Sequence, residues 1–314
     1  MTLELKARIN EMRYESPTVV SVELAPIAGA FPAFDPGAHI EMALGPDMRR
    51  SYSLLDADAR RYRIAVHRDP ASRGGSIFVH DRLRVGDIVS LSRPENNFRL
   101  DESAAGIVLI AGGIGVTPIL CMARRLAARG APFVLHYGAR DRAGAAFLPE
   151  IAALTGAPGR VNLHFDDEAG GVLDIAALVG SSPPGAQFYC CGPAPMLESF
   201  KRATAHLPRD AVHFEYFAAA EAAARDGGFE VALARRKRVL RIPSGQTILE
   251  VLLSEKIHVA VSCAQGVCGA CETSVIDGVP DHRDSYLTDA EKAANTSIMI
   301  CCSGAKTSRL VLDL

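Results

Sequence analysis

Long apolar runs are what this sequence most clearly lacks. No window approaches the roughly 20 uninterrupted apolar residues that a helix needs to cross a bilayer. The first residues, MTLELKARINEMRYE, also lack the basic start and the apolar core of a signal peptide. Together these absences predict a cytoplasmic protein with no membrane partner.

Net charge is equally scarce. The chain has 34 Lys and Arg against 36 Asp and Glu, a formal charge of −2. This balance provides no global reason to expect a nucleic-acid partner or an anionic membrane, so any charged docking surface must be local. With 48% hydrophobic and 22% charged residues, the composition is that of a globular protein, and 314 residues can form two or three compact domains.

Cysteine, in contrast, is well represented, with eight residues. In a reducing compartment these are metal ligands or buried small hydrophobes more often than disulfides. Cys263, Cys268 and Cys271 lie in CAQGVCGAC with C-x4-C-x2-C spacing, and Cys301 follows farther on. Three cysteines in this run with a distant fourth are the signature of a plant-type [2Fe–2S] cluster.

These cysteines have two other interpretations, a zinc site and a set of buried cysteines without a metal. Zinc sites prefer paired C-x2-C knuckles, and only one such knuckle is present here. Four buried cysteines without a metal are the other alternative. Cys302 competes with Cys301 as the fourth ligand, and spacing favours Cys301 only moderately. Cys121 and Cys190 fall on a helix and a strand, where we expect them in the core.

The pattern of apolar residues changes twice along the chain, which predicts three modules. Up to about residue 102, short strand-like runs such as VVSVELAP and AHIEMAL alternate with Gly, Pro and Asp, as in an antiparallel barrel. From 103 to 225, buried strand runs alternate with helical stretches, which predicts a parallel sheet. The segment FAAAEAAARDGG is read as a linker, and 226–314 as a small α/β cluster domain.

A glycine motif opens the second module. Gly112, Gly113, Gly115, Thr117 and Pro118 lie in GGIGVTP between the strand IVLIA and a helix, where a pyrophosphate can approach the backbone. We expect Thr117 to cap that helix. Proline replaces the last glycine of G-x-G-x-x-G, which argues against an ordinary dehydrogenase Rossmann domain.

A second motif follows the strand QFYC. Cys191, Gly192 and Pro193 end this strand and open another helix, at the carboxyl edge of the sheet. The alternative is a buried cysteine that merely precedes a helix-starting proline.

Two motifs in the first module suit a phosphorylated aromatic ligand. Arg50, Tyr52 and Ser53 lie in RSYS, where strand alternation places the arginine and the tyrosine on one side. RGGS follows, and its glycine turn before a helix can present N–H groups to a phosphate; its residues are Arg73, Gly74, Gly75 and Ser76. A surface strand and an ordinary loop are the competing interpretations.

The whole chain resembles the phthalate dioxygenase reductase-type family, which includes vanillate demethylase reductase-like proteins. CAQGVCGACETSVIDGVPDHRDSYLTDAEKA resembles the family's C-terminal cluster segment, and RSYS, RGGS, GGIGVTP and CGP match its other motifs. The resemblance implies a multidomain fold of mixed α+β and α/β class: an antiparallel β-barrel flavin domain, a parallel-sheet nucleotide domain and a β-grasp ferredoxin domain.

The same resemblance implies the cofactors and the residues that meet them. RGGS implies FMN rather than FAD. Ser53 is expected near the flavin nitrogen and Cys191 beside the nicotinamide, both as positioning residues. Phe217 is expected to cover the flavin, with Phe214 or Tyr216 as alternatives. NADH is expected, although Arg140, Asp141 and Arg142 after the second strand leave NADPH possible.

The function implied by the resemblance is electron transfer. NADH would give hydride to FMN, and electrons would pass to the cluster and then to a Rieske-type aromatic-ring oxygenase or demethylase, in a transient complex with a monomeric reductase. A cytochrome P450 or another acceptor is the alternative partner. A cluster-bearing redox sensor and a fused metabolite dehydrogenase are alternatives of other classes.

Overall fold

The fold is described from a computed structural model. It describes residues 3–45, 48–56, 60–70, 72, 74–104, 106–156, 158–217, 223–261, 264, 266–267 and 269–314. The chain divides into two compact units, Met1–Glu215 and Tyr216–Leu314. Among the helices in these described ranges, none combines the length and the apolar character needed to span a membrane.

The first unit begins with a curled antiparallel sheet. Its strands run in the order β4-β3-β6-β1-β2-β5, and β7 pairs with β3. The terminal strands β4 and β5 also lie against each other, which curls the sheet around an apolar core. The strands are β1 (Leu3–Ser16), β2 (Val19–Pro26), β3 (Ala38–Ala43), β4 (Arg49–Ser53), β5 (Tyr62–His67), β6 (Ile88–Ser92) and β7 (Glu95–Asn96), with helix α1 (Gly75–Asp81) between β5 and β6.

A parallel five-stranded sheet completes the first unit, in the order β10-β9-β8-β11-β12. Its central strand is buried along its whole length, as expected for the uninterrupted apolar run IVLIA. The strands are β8 (Ile107–Gly112), β9 (Phe133–Ala139), β10 (Gly159–Phe165), β11 (Gln187–Cys191) and β12 (Val212–Glu215). The helices are α2 (Val116–Ala128), α3 (Leu148–Ala152), α4 (Asp166–Ala169), α5 (Ile175–Gly180) and α6 (Ala194–Thr204), with 3₁₀ turns at Gly113–Gly115 and Arg209–Ala211.

Helix α2 begins two residues earlier than the sequence predicted, because its N-cap is Gly115 and not Thr117. Gly115 is its N-cap, and Thr117 lies inside the first turn, where its hydroxyl donates to the carbonyl of Ile114. The prediction that Thr117 caps the helix is therefore wrong. The 3₁₀ turn before α2 already winds the chain, so the helix starts directly from the glycine motif.

An ion-pair network joins the curled sheet to the parallel sheet. Arg63 on β5 binds Glu150 on α3 with two hydrogen bonds, of 2.6 and 3.0 Å, and lies 2.8 Å from Asp56 after β4. Arg124 on α2 binds both of these carboxylates. Burial lowers the pKa of Arg124, but the carboxylates keep the site neutralised. Because the two sheets also share an apolar core, residues at their junction are held in one arrangement.

The second unit is a small mixed sheet, in the order β14-β13-β19-β15-β17, with a parallel central pair, β13 and β19. This is the β-grasp arrangement expected for the ferredoxin domain. A capping box between Thr247 and Glu250 starts α7, whose apolar face packs into the core. The elements are β13 (Phe229–Leu233), β14 (Arg238–Ile242), α7 (Ile248–Ser254), β15 (Glu272–Asp277), β16 (Pro280–Asp281), α8 (Asp289–Ala294), β17 (Ser297–Met299), β18 (Gly304–Ala305) and β19 (Arg309–Leu312). Residues 218–222 of the predicted linker lie outside the described residues.

Candidate functional site

The two glycine motifs of the parallel sheet meet at its carboxyl edge. Strands β8 and β11 are parallel neighbours, so GGIG and CGP emerge side by side. A methyl group added at Gly115 would overlap the carbonyl of Cys191, and one added at Gly112 would lie 2.6 Å from the sulfur of Met196. Close backbone packing between the motifs therefore requires glycine at position 115, whereas side chains crowd position 112.

Gly113 faces the opposite way. Its φ is +52°, in the left-handed region that favours glycine, and a methyl group there would meet nothing within 4 Å. The turn thus presents open backbone immediately before α2. A pyrophosphate can approach such a turn without steric conflict, and the residues present fit a pyridine dinucleotide.

Three side chains from different strands come together beside these motifs. Ser53 ends β4, and Glu215 ends β12 directly opposite Cys191 of β11. The Ser53 hydroxyl donates to Glu215 Oε2 over 3.5 Å. Burial, reinforced by the charge of Glu215, raises the pKa of the Cys191 thiol well above its usual value. Cys191 is therefore a neutral thiol, which suits positioning and not nucleophilic attack.

Glu215 was missed at the level of sequence. The segment HFEYF was considered only for its aromatic residues, although a carboxylate at the end of a strand at the carboxyl edge of a parallel sheet was itself a usable signal. Glu215 is the acidic group that contacts Ser53 and acts on Cys191.

His39 is a second residue that the sequence analysis missed. It lies on β3 directly opposite Ser53 and is 7% exposed. Within the described ranges its Nδ1 atom has no hydrogen-bond partner. Burial lowers its pKa, against the opposing charge of Glu95. A buried unpaired nitrogen next to Ser53 is the kind of group that a bound polar ring would satisfy, so the pocket fits a flavin.

The structure brings RSYS and the glycine turn together. A methyl group at Gly75, the first residue of α1, would lie 2.7 Å from Nε of Arg50. Gly74 has φ of +96° and precedes the helix. The cation of Arg50 and the backbone of the turn are thus adjacent, as a phosphate site requires. Arg73 lies outside the described residues.

Tyr52 and Ser76 have different surroundings. Burial raises the pKa of Tyr52, so its ring and hydroxyl stay neutral. The Ser76 hydroxyl accepts from the backbone N–H of Asp69 at 3.2 Å and keeps its own proton to donate. Ser76 belongs to the motif that the sequence assigned to the phosphate, whereas Tyr52 lies on β4 two residues after Arg50.

The cysteine segment is partly described. Cys271 and Cys301 are buried, whereas Cys263 and Cys268 lie outside the described residues. The N–H of Gly266 donates to Cys301 Sγ at 3.2 Å. Gly266 and Gly269 have φ of +73° and +74°, so the loop is wound in a way that favours glycine. Backbone N–H groups aimed at a cysteine sulfur fit an iron–sulfur cluster.

Cys302 is held differently from its neighbour. Its Sγ lies 3.8 Å from the carbonyl of Met299 and 3.8 Å from the Ser303 hydroxyl, and it packs against Gly266. These contacts are those of a small buried core residue. Cys121 and Cys190 are also buried, as expected, and burial raises the pKa of Cys121 to about 12.

The three candidate aromatic residues differ in exposure. Phe214 packs edge-on against Phe200, and Tyr216 is buried. Phe217 is 43% exposed and lies at the start of the second unit. Phe217 is therefore the candidate of the three whose ring is most available to a ligand.

Arg142 and Asp141, which follow β9, both have hydrogen-bond partners within the protein. Arg142 forms two hydrogen bonds, of 2.9 and 3.0 Å, with Glu168 and stacks 4.3 Å above the ring of Phe165. Asp141 accepts the N–H of Gly144 at 2.6 Å. Glu168 follows β10, the neighbour of β9, so the acids after both strands lie at one edge of the sheet.

Comparisons with known proteins agree with this arrangement. Residues 231–306 match the 2Fe-2S iron-sulfur cluster binding domain. The chain is 51% identical over 310 residues to phenoxybenzoate dioxygenase subunit beta of Ectopseudomonas oleovorans, covering 98% of this chain and 96% of that one. It is 41% identical over 300 residues to phthalate dioxygenase reductase of Burkholderia cepacia, covering 94% and 92%.

A solved phthalate dioxygenase reductase structure superimposes with a TM-score of 0.73 at 40% identity, covering 99% of this chain and 98% of that one. The chain belongs to the phthalate dioxygenase reductase family. A type IV self-sufficient cytochrome P450 monooxygenase also matches, with a TM-score of 0.79 at 35% identity, and there the similarity covers 99% of this chain but 41% of the longer one.

Membership of the phthalate dioxygenase reductase family confirms the predicted fold and enzyme class. The protein is an iron–sulfur flavoprotein oxidoreductase that acts as the reductase component of an oxygenase system. Its cofactors are FMN, NADH and a [2Fe–2S] cluster. The residues above fit all three groups.

Proposed function

We propose that this reductase takes electrons from NADH through FMN and the [2Fe–2S] cluster to a Rieske-type aromatic-ring oxygenase or demethylase. The observation that carries the proposal is the meeting of Ser53, Glu215 and Cys191 at the junction of the two sheets. A flavin held by the curled sheet and a nicotinamide held by the parallel sheet would face each other there.

We assign the site residues on this basis. Arg50, Tyr52, Ser53, Arg73, Gly74, Gly75 and Ser76 would bind FMN, and Phe217 would cover it. Gly112, Gly113, Gly115, Thr117, Pro118, Cys191, Gly192 and Pro193 would bind the pyridine nucleotide. Cys263, Cys268, Cys271 and Cys301 would bind the cluster. The modules would be 1–102, 103–225 and 226–314.

The bound cofactors supply hydride and single-electron chemistry. The chain supplies alignment. Ser53 holds a hydroxyl at the flavin side, and Glu215 orients that hydroxyl from the nicotinamide side. The neutral Cys191 thiol would lie beside the nicotinamide without competing as a nucleophile.

An anaerobic NADH titration followed by visible absorption and EPR tests the proposal. Flavin bleaching together with a reduced [2Fe–2S] signal is the expected result. Addition of purified Rieske-type oxygenases should then restore product formation with one of them. A protein in which neither NADH nor NADPH changes either signal would contradict the assignment.

Replacement of Ser53 by alanine is expected to slow flavin reduction about fivefold to tenfold, the effect of losing one neutral hydrogen bond of about 1 kcal/mol. Stopped-flow bleaching at saturating NADH measures the rate. Ser51→Ala is the matched control, because Ser51 is exposed on the same strand. Unchanged bleaching in Ser53→Ala would rule out the role given to this hydroxyl.

The coenzyme preference can be altered at Glu168. This carboxylate holds Arg142, and their hydrogen bonds lower the pKa of Glu168 and raise that of Arg142. In Glu168→Gln the arginine is released and a carboxylate is removed, so the NADH over NADPH ratio of kcat/KM should fall about threefold to tenfold, since exposed pairs are weak. Asp174→Asn, which removes an acid elsewhere in the same module, should leave the ratio unchanged. A ratio that stays constant in Glu168→Gln would show that Arg142 does not meet the ribose.

A cytochrome P450 remains the second candidate acceptor. The observation that favours it is the match to the reductase portion of a self-sufficient P450 monooxygenase. Reconstitution with a P450 but with no Rieske-type oxygenase would favour this partner.

We also infer a monomer that works in the cytoplasm and forms a transient complex with its oxygenase. One chain supplies both sides of the proposed hydride-transfer site, so a second copy is not needed to complete it. Light scattering of the purified protein should give the mass of one chain, 33.4 kDa. A stable dimer would contradict the inference.

A further inference from the structure

The segment from Arg283 to Leu287 forms hydrogen bonds with two regions of the proposed cluster site, one around Gly266 and one around Ser303. The N–H of Ser285 donates to the carbonyl of Gly266 at 3.0 Å, and the N–H of Arg283 donates to the Ser303 hydroxyl at 3.1 Å. Gly266 belongs to the loop that carries Cys263 and Cys268, and Ser303 follows Cys301. The segment therefore connects the loop to the distant fourth cysteine.

Within this segment, Asp284 is a fully buried carboxylate, with 0% of its side chain exposed. Its Oδ2 accepts the N–H of Leu287 at 2.8 Å, and its Oδ1 lies 3.5 Å from the Ser303 hydroxyl. Each carboxylate oxygen thus has one hydrogen-bond partner in the segment that surrounds it. The ammonium of Lys292 binds the backbone carbonyl of Asp284 and not its carboxylate.

Asp284 lies directly behind the loop. A methyl group added at Gly266 would be 3.1 Å from its Cα, and the N–H of Gly266 is the donor to Cys301 Sγ. Asp284 therefore packs against the glycine whose N–H binds a cysteine sulfur. The other ionisable neighbour is His282, whose Nδ1 is 3.6 Å from Asp284 Oδ1. Neither ring nitrogen of His282 has a hydrogen-bond partner among the described residues.

We propose that Asp284 sets the reduction potential of the cluster through its buried negative charge, as a positioning residue that also fastens the loop. The inference rests on the proposed cluster site. Reduction adds an electron to a cluster that four thiolates already make negative, and a buried carboxylate one residue away opposes that electron. The charge would keep the potential low and favour onward transfer from the cluster.

The test is an EPR-monitored redox titration of the full-length holoprotein, with all variants measured at the same pH. Asp284→Asn keeps an oxygen for the Leu287 N–H and removes the charge. The midpoint potential should rise by about 59 mV, which is a tenfold change in the equilibrium constant of a one-electron couple. Asp289→Asn, which removes the same charge from the exposed first turn of α8, should leave the potential unchanged.

Ser303→Ala provides a second variant that keeps the charge of Asp284. Loss of the hydroxyl near Oδ1 leaves the carboxylate less neutralised, so the potential should fall. If Asp284→Asn does not retain the cluster, the potential of Ser303→Ala tests the proposal instead. An unchanged potential in an Asp284→Asn protein with an intact EPR signal, or in Ser303→Ala, would overturn the proposal. Absence of any [2Fe–2S] signal in the unmodified protein would instead refute the proposed cluster site.

Discussion

Alanine in place of Cys301 is expected to remove the [2Fe–2S] absorption and EPR signal, while NADH still bleaches the flavin. A cluster needs four thiolates, and alanine provides no ligand. Cys301 is the sulfur that receives the N–H of Gly266. Apart from Phe217, the proposed flavin and nicotinamide residues lie in the other compact unit, so their reaction should survive.

Cys302→Ala is the matched control for that experiment. Cys302 is the next residue and equally buried, but its thiol lies near the carbonyl of Met299. The cluster should remain, with a stability cost of about 1 kcal/mol for a small core truncation. Loss of the cluster in Cys302→Ala and its retention in Cys301→Ala would reverse the assignment of the fourth ligand.

Gly115→Ala is expected to lower the rate of NADH-dependent flavin bleaching by about 100-fold, because displacement of reacting groups by an ångström has effects of this size. The φ of Gly115 is −61°, which alanine accepts readily. The added methyl group would nevertheless overlap the carbonyl of Cys191. One of the two motifs must therefore shift, and the nicotinamide would lose its alignment with the flavin.

Gly180→Ala is the control for this clash. Gly180 ends α5, and a methyl group there would meet nothing within 4 Å. Its bleaching rate should match that of the unmodified protein. FMN content, cluster content and reduction by dithionite should be normal in both variants. Normal NADH kinetics in Gly115→Ala would show that the two motifs do not abut during catalysis.

The sequence predicted the fold class because each kind of sheet has its own periodicity. Alternating short runs predicted the antiparallel sheet, and uninterrupted apolar runs followed by helices predicted the parallel one. The helix after GGIGVTP was predicted with its start misplaced, since Thr117 is a capping residue by type but lies two residues after the observed N-cap, Gly115. Local preference cannot show that a 3₁₀ turn has already begun to wind the chain.

Candidate site residues can be named from the sequence where chemistry is concentrated in a short segment. Glycine turns, RSYS and the cysteine run are visible because their spacing is local. His39 was not visible, because its significance arises from its pairing opposite Ser53. Glu215 carried only the signal of a carboxylate at a strand end, and its position opposite Cys191 comes from strand pairing. Register between strands distant in the chain is set by packing of whole sheets, which no local pattern encodes.

The sequence alone thus determined the kinds of site this protein carries: a cluster loop, a phosphate turn and a dinucleotide edge. Only the tertiary structure decided which side chains meet there. It brought Arg50 to Gly75, Ser53 to Glu215, and the buried charge of Asp284 behind Gly266. The physical reason is that motifs require short-range spacing, whereas burial and electrostatic neighbours depend on contacts between segments far apart in the chain.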